Sequence, residues 1–483
     1  RHPNFLALGL FALLVVLFYG NTLLNGFIHD EHPVIEENPY VHELRYLPKV
    51  ITGCIWESTL GGCEGKSLHY RPMQSLSYLL TWQVSSSPWF FHLVHLVYFS
   101  FVVCLVFLFA KTLTKKLSTA VFAALLFLIY PIQAENGNWV ATAPEMLLAI
   151  FGLACGISYI SFRRQGKTRS LVFCLLFYFL AMLSKEAGAF LPIMLVVLDF
   201  FVLGKKWKEC IHWKELKPYL VFCIPFGLYF GMRSLVLGGF GGLASTGDYL
   251  SSAYTLSERL YTYIGLFSQY VGKMFFPYPA PMLFLDSFVI REDLWSPSFI
   301  LSLFFCVAYG AAIVYFIKKE KGLYVFSLIW FVVFLATVIL GFKVVGEKVL
   351  AERYLFLSSI GFTLIFGSVL THFWEKSQRD KIIIVVLFFI LTVSSWLLVF
   401  PQNRFWKDDV TLFQAILARN PDAYPIRVYL GEAFRKRGDG EAAKEQWEKI
   451  LEQVPEWYAI SLVYNNLGQY YRERGNNEKA LEY

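Results

Sequence analysis

The stretch WFFHLVHLVYFSFVVCLVFLFAKTLTKKLSTAVFAALLFLIYPIQ, residues 89–133, sets two long apolar runs around a short break that holds Lys111, Lys115 and Lys116. About 20 apolar residues are what an α-helix needs to cross the hydrocarbon core of a bilayer. Runs of this kind recur at 5–24, 89–110, 117–133, 144–162, 170–186, 188–203, 218–237, 298–317, 323–342, 355–374 and 381–400. The expected fold is therefore all-α, a polytopic membrane bundle of about eleven helices. Residues 257–276 are apolar enough to be considered too. The loop after them carries Asp286, Glu292 and Asp293 against a single Arg291, so this segment is read as an interfacial or re-entrant helix.

Composition agrees with that reading. Of the 483 residues, 56% are apolar and 16% charged, against roughly 45–50% and about 25% in soluble chains. Disordered, collagenous and cysteine-stapled secreted classes are excluded. The net charge of +7 is no nucleic-acid footprint, because the basic residues sit in clusters between spans. These are Lys111, Lys115 and Lys116; Arg163, Arg164, Lys167 and Arg169; Lys205, Lys206, Lys208, Lys214 and Lys217; Lys318, Lys319 and Lys321; and Lys376, Arg379 and Lys381. The positive-inside rule places all five on the cytoplasmic side. The N-terminus then lies inside and everything after residue 400 outside. Two large loops, 25–88 and 238–297, also fall outside. The first span, with no A-x-A site after it, reads as an anchor. Cys104, Cys155, Cys174, Cys223 and Cys306 lie within spans, and Cys210 in a cytoplasmic loop. Cys54 and Cys63 share the first external loop, where either a disulfide or two free thiols are compatible with an oxidising compartment. No zinc-ligand spacing is present.

After Pro401 the apolar runs stop. FQAILARNPDAY at 413–424 returns as WEKILEQVPEWY at 447–458, matching Phe413 with Trp447, Ile416 with Ile450, Leu417 with Leu451 and Pro421 with Pro455. YLGEAFRKRGDGEAA at 429–443 likewise resembles NLGQYYRERGNNEKA at 466–480. An offset of 34 residues is the tetratricopeptide (TPR) period. The chain thus divides into a membrane domain, 1–400, and a TPR solenoid, 401–483. Such arrays need about three repeats and a cap, so the solenoid is expected to continue beyond Tyr483.

Charged residues near the external span ends carry the functional signal. FIHDEH at 27–32 places Asp30 and Glu31 directly after the first span. Carboxylates at a membrane boundary are expensive unless solvated or used. One could act as general base on an acceptor hydroxyl; the plainer alternative is a solvated loop. Arg71, Glu135, Glu145, Lys185, Glu186, Arg233, Lys348, Glu352 and Arg353 fall at similar depth. The basic members could pair a lipid-linked phosphate or merely snorkel to headgroups. No Walker motif or H-E-x-x-H is present, which argues against ATP-driven transport and zinc proteolysis.

Five ordered segments carry a resemblance: NGFIHDEHPVIEENPYV at 25–41, YRPMQSLSYLL at 70–80, YPIQAENGNWVATAPEMLLA at 130–149, LSKEAG at 183–188 and LAERYLFLSSIGF at 350–362. Together with the repeats, they resemble the transmembrane-and-TPR (TMTC) family of glycosyltransferases, as a bacterial-type relative. The resemblance implies a GT-C membrane fold with TPRs outside. It implies transfer of a sugar, typically mannose, from a polyprenyl-phosphate donor to Ser or Thr hydroxyls of acceptor proteins, with inversion. Asp30 matches the first acid of the family's pair and is the expected base. Glu31 takes the second position, where Asp is usual. Arg353, Lys185 and Arg71 are the expected donor-phosphate ligands, with Glu135, Glu145, Glu186 and Glu352 as further candidates. Tyr130 and Gln133 replace usual histidines, and Ala143 a common Arg, which leaves the sugar or acceptor open. No cofactor or metal is required by this scheme. The expected location is the plasma (inner) membrane.

Two other readings compete. A lipid-linked oligosaccharide ligase or polymerase would add a whole glycan, which product mass distinguishes. A TPR scaffold without catalysis would keep its phenotype on Asp30→Asn.

Overall fold

Every predicted span is helical, but three are too short for a plain crossing. The computed structural model describes residues 2–64, 67, 69–206, 218–239, 256–277, 296–340, 350–454 and 460–483. Lys208, Cys210, Lys214, Lys217, Asp286, Arg291, Glu292, Asp293, Lys348 and Pro455 lie outside the described residues. The described chain is all-α. Among these residues eight helices are long and apolar enough to cross a membrane, or nine if one bent pair is a single span. The chain is a multi-pass membrane protein.

Helix α1 (His2–Tyr19) leads into the first loop, which returns through α2 (Pro72–Val84) to the long α3 (Pro88–Thr114). Next comes α4 (Leu117–Ile129), which stops at Tyr130-Pro131, where the ring cannot continue the helical hydrogen bonds. The following helical piece, Pro131–Asn138, leaves at 60° to α4. Helices α5 (Ala143–Gln165) and α6 (Thr168–Ser184) form a hairpin, and α6 breaks at Lys185 before the eleven-residue α7 (Leu191–Phe201). The short members α4, α6 and α7 are therefore the ones that flank irregular segments, 130–142 and 184–190. Helix α8 (Cys223–Leu237) packs on α6. Helix α9 (Leu256–Phe275) is not among the crossing-capable helices. It buries Leu266, Tyr270 and Met274 and exposes Leu260 and Phe275, the two-faced pattern suited to an interface. Helices α10 (Pro297–Lys318), α11 (Gly322–Ile339), α12 (Leu355–Trp374) and α13 (Gln378–Gln402) complete the bundle.

Lipid gives no hydrophobic drive between helices, so close packing of small residues must hold them together. The α4–α12 contact shows it: a Cβ on Gly367 would sit 3.0 Å from the Thr119 carbonyl oxygen. Nearby, the Thr119 hydroxyl donates to Thr371 at 2.9 Å. At α11–α12 a Cβ on Gly361 would collide with the Ser327 carbonyl oxygen. The basic residues gather at one end of the bundle, where Lys116 meets Glu375 at 2.6 Å and Arg164 donates to the Thr112 carbonyl at 2.6 Å. At the same end of α5, Asp199 is fully buried against Arg163 (2.6 Å) and the Tyr159 hydroxyl (2.6 Å). The irregular segments gather at the other end.

In the first loop Cys54 and Cys63 are joined in a disulfide, with Cα atoms 5.6 Å apart. The tail consists of α14 (Asp409–Leu417), α15 (Tyr424–Lys436), α16 (Gly440–Gln453), α17 (Ile460–Glu473) and α18 (Asn477–Glu482), each packing on the next for the pairs α14–α15, α15–α16, α16–α17 and α17–α18. It does not hang from the bundle by a free linker. Asn403 is 1% exposed; its amide donates to the Phe18 carbonyl at 2.8 Å and to Asn21 Oδ1 at 2.7 Å, and its Oδ1 accepts from Asn138 at 2.7 Å. Trp406, Val410, Phe413 and Ile416 share a core with Ile28 and Trp139.

Replacing Asn403 by Ala removes those bonds and leaves several buried groups unsatisfied, at roughly 1–3 kcal/mol each. The full chain in nanodiscs should melt at clearly lower temperature, which differential scanning fluorimetry reads directly.

Candidate active site

Four irregular segments, 25–41, 69–71, 139–142 and 185–187, meet Arg233, Thr337, Val338, Arg353, Tyr354 and Tyr429 around one cavity of about 710 Å³. Irregular backbone at membrane depth is tolerated only where every N–H and C=O finds a partner. Here side chains supply them. The buried Glu31 carboxylate accepts the amides of Ile28 (3.0 Å), Val140 (2.5 Å) and Ala141 (3.3 Å). His95 Nε2 donates to the Asn136 carbonyl at 2.6 Å, and the Tyr78 hydroxyl to that of Val140 at 3.1 Å. These bonds fix the two turns that carry Asp30 and Trp139.

Of the residues expected from sequence, the cavity wall includes Asp30, Arg71, Glu145, Lys185, Glu186 and Arg353. Glu31, Glu135 and Glu352 stand behind it. Glu31 faces the three amides instead of the cavity, and burial raises its carboxyl to about 8 despite them. Glu135 receives the Arg353 guanidinium at 2.5 Å and the Arg353 amide at 2.9 Å. Glu352 lies 3.5 Å from Lys273 of α9. Asp30 is the acid of the first pair that meets the open space; its Oδ1 is 3.5 Å from His29 Nε2.

The wall carries four formally cationic side chains, Arg71, Lys185, Arg233 and Arg353, against the carboxylates of Asp30, Glu145 and Glu186. Glu186 organises one group. Arg71 donates to both its oxygens at 3.0–3.3 Å, with His69 Nδ1 at 3.7 Å and Arg233 at 3.6 Å. Burial would raise the Glu186 carboxyl, but Arg71, His69 and Arg233 hold it well below the usual carboxylate range. The second group is Lys185 on Glu145 at 2.8 Å, with its ammonium 5.3 Å from the Tyr354 ring centre. Burial pulls Lys185 below its ordinary value. Arg353 joins it, 5.3 Å over Trp139 and 4.7 Å over Tyr354. A second, small notch beside this group shares Glu145, Lys185 and Arg353 with the cavity and adds Leu148, Phe334 and Leu357.

Sequence reasoning missed the tail's part. Tyr429 of α15 lines the cavity, and its ring lies 4.9 Å from that of His29. Asp409 of α14 accepts the His29 amide at 2.7 Å and meets His32 Nε2 at 3.1 Å. The available signal was the Asp408-Asp409 pair directly after the last apolar run, a strongly polar start for a segment that packs against the bundle. His69, two residues before Arg71, also went unnoticed.

No family model matches the chain. It is 23% identical over 516 residues to protein O-mannosyl-transferase TMTC3 of Mus musculus, covering 99% of this chain and 54% of that protein. It is 25% identical over 515 residues to protein O-mannosyl-transferase TMTC1 of Homo sapiens, covering 97% and 57%. Along nearly its whole length the chain is similar to proteins named TMTC. It spans about half the length of these curated relatives. Among solved structures it is similar to ArnT from Cupriavidus metallidurans bound to undecaprenyl phosphate, with 13% identity, a TM-score of 0.42, and 95% of this chain and 76% of that one covered.

Two outcomes follow. Glu135→Ala strips Arg353 of a buried partner on both its guanidinium and its amide. Breaking a buried pair costs roughly 3–5 kcal/mol, so thermal unfolding should fall markedly. His32 gives the pH dependence. Burial alone would lower its pKa, but hydrogen bonds to Asp409 and Glu36 outweigh it and raise it to about 9. A proton held more tightly when folded stabilises fully below the ordinary value of 6.5, and this contribution is lost as pH rises through 9. Glu31, also raised, loses its share in the range up to about 8. Unfolding across this window should show stability falling with pH, and His32→Gln should flatten the upper part of the slope.

Proposed function

We propose that the chain is a GT-C glycosyltransferase that moves one hexose, mannose or a close analogue, from a polyprenyl-phosphate donor to a Ser or Thr hydroxyl. The observation that carries this reading is one cavity wall holding Asp30 together with Arg71, Lys185, Arg233 and Arg353. The names of the relatives, protein O-mannosyl-transferases, support the same class. The site lies at the end of the bundle away from the basic clusters. By the positive-inside rule that end is extracytoplasmic, on a plasma (inner) membrane.

In the proposed step the acceptor oxygen attacks the anomeric carbon from the face opposite the phosphate, giving inversion. Asp30 takes the hydroxyl proton as the new C–O bond forms. The anomeric carbon–phosphate bond breaks and its electron pair leaves with the lipid phosphate. Phosphate is a good leaving group, so the cations need only hold its charge. Arg353 and Lys185 flank the apolar notch and are the proposed headgroup ligands, with Arg71 adjoining through the Glu186 group. Cations set in a site with limited water act more strongly than in bulk solvent. Glu145 and Glu186 hold the cations in place, and Glu135 and Glu352 support them from behind. No metal is needed in this scheme. The tail is proposed as TPR repeats that present acceptor proteins.

The test is Asp30→Asn in the full chain, with transfer from polyprenyl-phosphate hexose to envelope proteins followed by intact-glycopeptide mass spectrometry. Loss of the base should cut transfer by about 10²–10⁴-fold, with the protein still monodisperse. A product heavier than one hexose would replace the reading by an oligosaccharide ligase. Unchanged glycopeptides would remove Asp30 from the chemistry.

A further inference from the structure

Asp409 has no need to touch the first loop. The start of α14 is already capped by its neighbour: Asp408 Oδ1 accepts the Thr411 amide and hydroxyl, each at 2.9 Å. Yet both Asp409 oxygens are committed to the loop that carries Asp30. One accepts the His29 amide at 2.7 Å, the other meets His32 Nε2 at 3.1 Å. His29 is held at φ +46°, in the left-handed region that non-glycine residues seldom occupy. Such a conformation persists only where surrounding contacts over-determine it. The contacts come mainly from the tail: the His29 ring lies 4.9 Å from Tyr429 and 5.8 Å from Phe413, with Trp139 at 6.2 Å on the other side. Gly26 is pinned as well, its amide donating to the Lys407 carbonyl at 2.9 Å.

We propose that Asp409 is a positioning residue for Asp30, fixing the His29 backbone and the His32 ring so that the Asp30 carboxylate stays on the cavity wall. The inference rests on the transferase reading above. It makes the first tail helix pair a component of the reaction site as well as a means of recruiting acceptors. Asp30 follows the strained residue directly, so a change in the His29 dihedrals swings the carboxylate as a whole. Misplacement by about 1 Å is enough to cost up to a hundredfold in rate.

The test uses the full chain in nanodiscs. Asp409→Ala, Asp409→Asn and Asp408→Ala are compared with wild type in hydrogen–deuterium exchange over residues 25–41 and in hexose transfer from a polyprenyl-phosphate donor to a Ser/Thr peptide. Asp409→Ala should raise exchange in the loop and lower kcat by about ten- to a hundredfold, with the donor KM unchanged. Asp409→Asn keeps an acceptor for the His29 amide and should fall between. Asp408→Ala loses the cap, and should loosen the tail while leaving kcat near wild type. A wild-type kcat in Asp409→Ala overturns the proposal. So does an equal loss in Asp408→Ala, which would mean that tail stability alone matters. If wild type transfers no hexose and Asp30→Asn matches it, the transferase reading falls. The exchange then decides the coupling by itself: greater uptake in Asp409→Ala upholds it, and unchanged uptake ends it.

Discussion

The carboxylate of Glu31 is the joint on which the site depends. It sits fully buried and gathers three backbone amides, Ile28 from the first loop and Val140 and Ala141 from the break between α4 and α5. Both segments are irregular. Local turns satisfy many of their N–H groups, but the amides of Ile28, Val140 and Ala141 go to Glu31, and near lipid an unmet backbone group costs several kcal/mol. One side chain therefore does for two turns what a hydrogen-bond ladder does for a helix. Asp30 precedes Glu31 and Trp139 precedes Val140, which Glu31 holds, and both line the cavity. Two adjacent acids thus take different roles: one is spent on backbone geometry, and its neighbour is left facing the cavity.

The charges around the cavity obey the same economy. A bare ammonium or guanidinium at this depth is unfavourable, so Lys185 has Glu145, Arg353 has Glu135, and Arg71 shares Glu186 with His69 and Arg233. The wall itself carries four cations and three carboxylates, and Glu135, bonded to Arg353 from behind it, brings the group to charge balance. A phosphate at the cavity would meet donors already oriented by their carboxylates, so little ordering remains to be done on binding.

The membrane class, the helical spans and the charged residues at their ends were legible from local sequence: apolar runs, lysine clusters and short motifs each lie within a few residues of what they describe. The cavity members Asp30, Arg71, Glu145, Lys185, Glu186 and Arg353 were recognisable for that reason. What was not legible was partnership over long separations. Nothing near Glu135 indicates that it bonds an arginine 218 positions away, or that Glu31 serves amides 109 and 110 positions on. Crossing lengths were misjudged for a related reason. The apolar composition of 117–133 continues through Pro131 while the helix stops at Ile129, and the runs 170–186 and 188–203 give helices that end at Ser184 and start again at Leu191.

The tail is the largest departure from a reading by composition. Its repeat pattern and abrupt change in polarity suggest a module attached to a finished membrane domain. Asn403 and Trp406 tie the two together. The Asn403 amide bridges α1, the loop after it and Asn138, while Trp406 enters the core shared by Ile28 and Trp139. A bundle ending at residue 400 would leave Asn138, the Phe18 carbonyl, Trp139 and Ile28 exposed on the surface that shapes the cavity. The tail and the cavity wall therefore share one hydrogen-bonded layer, the one that holds the loop carrying Asp30.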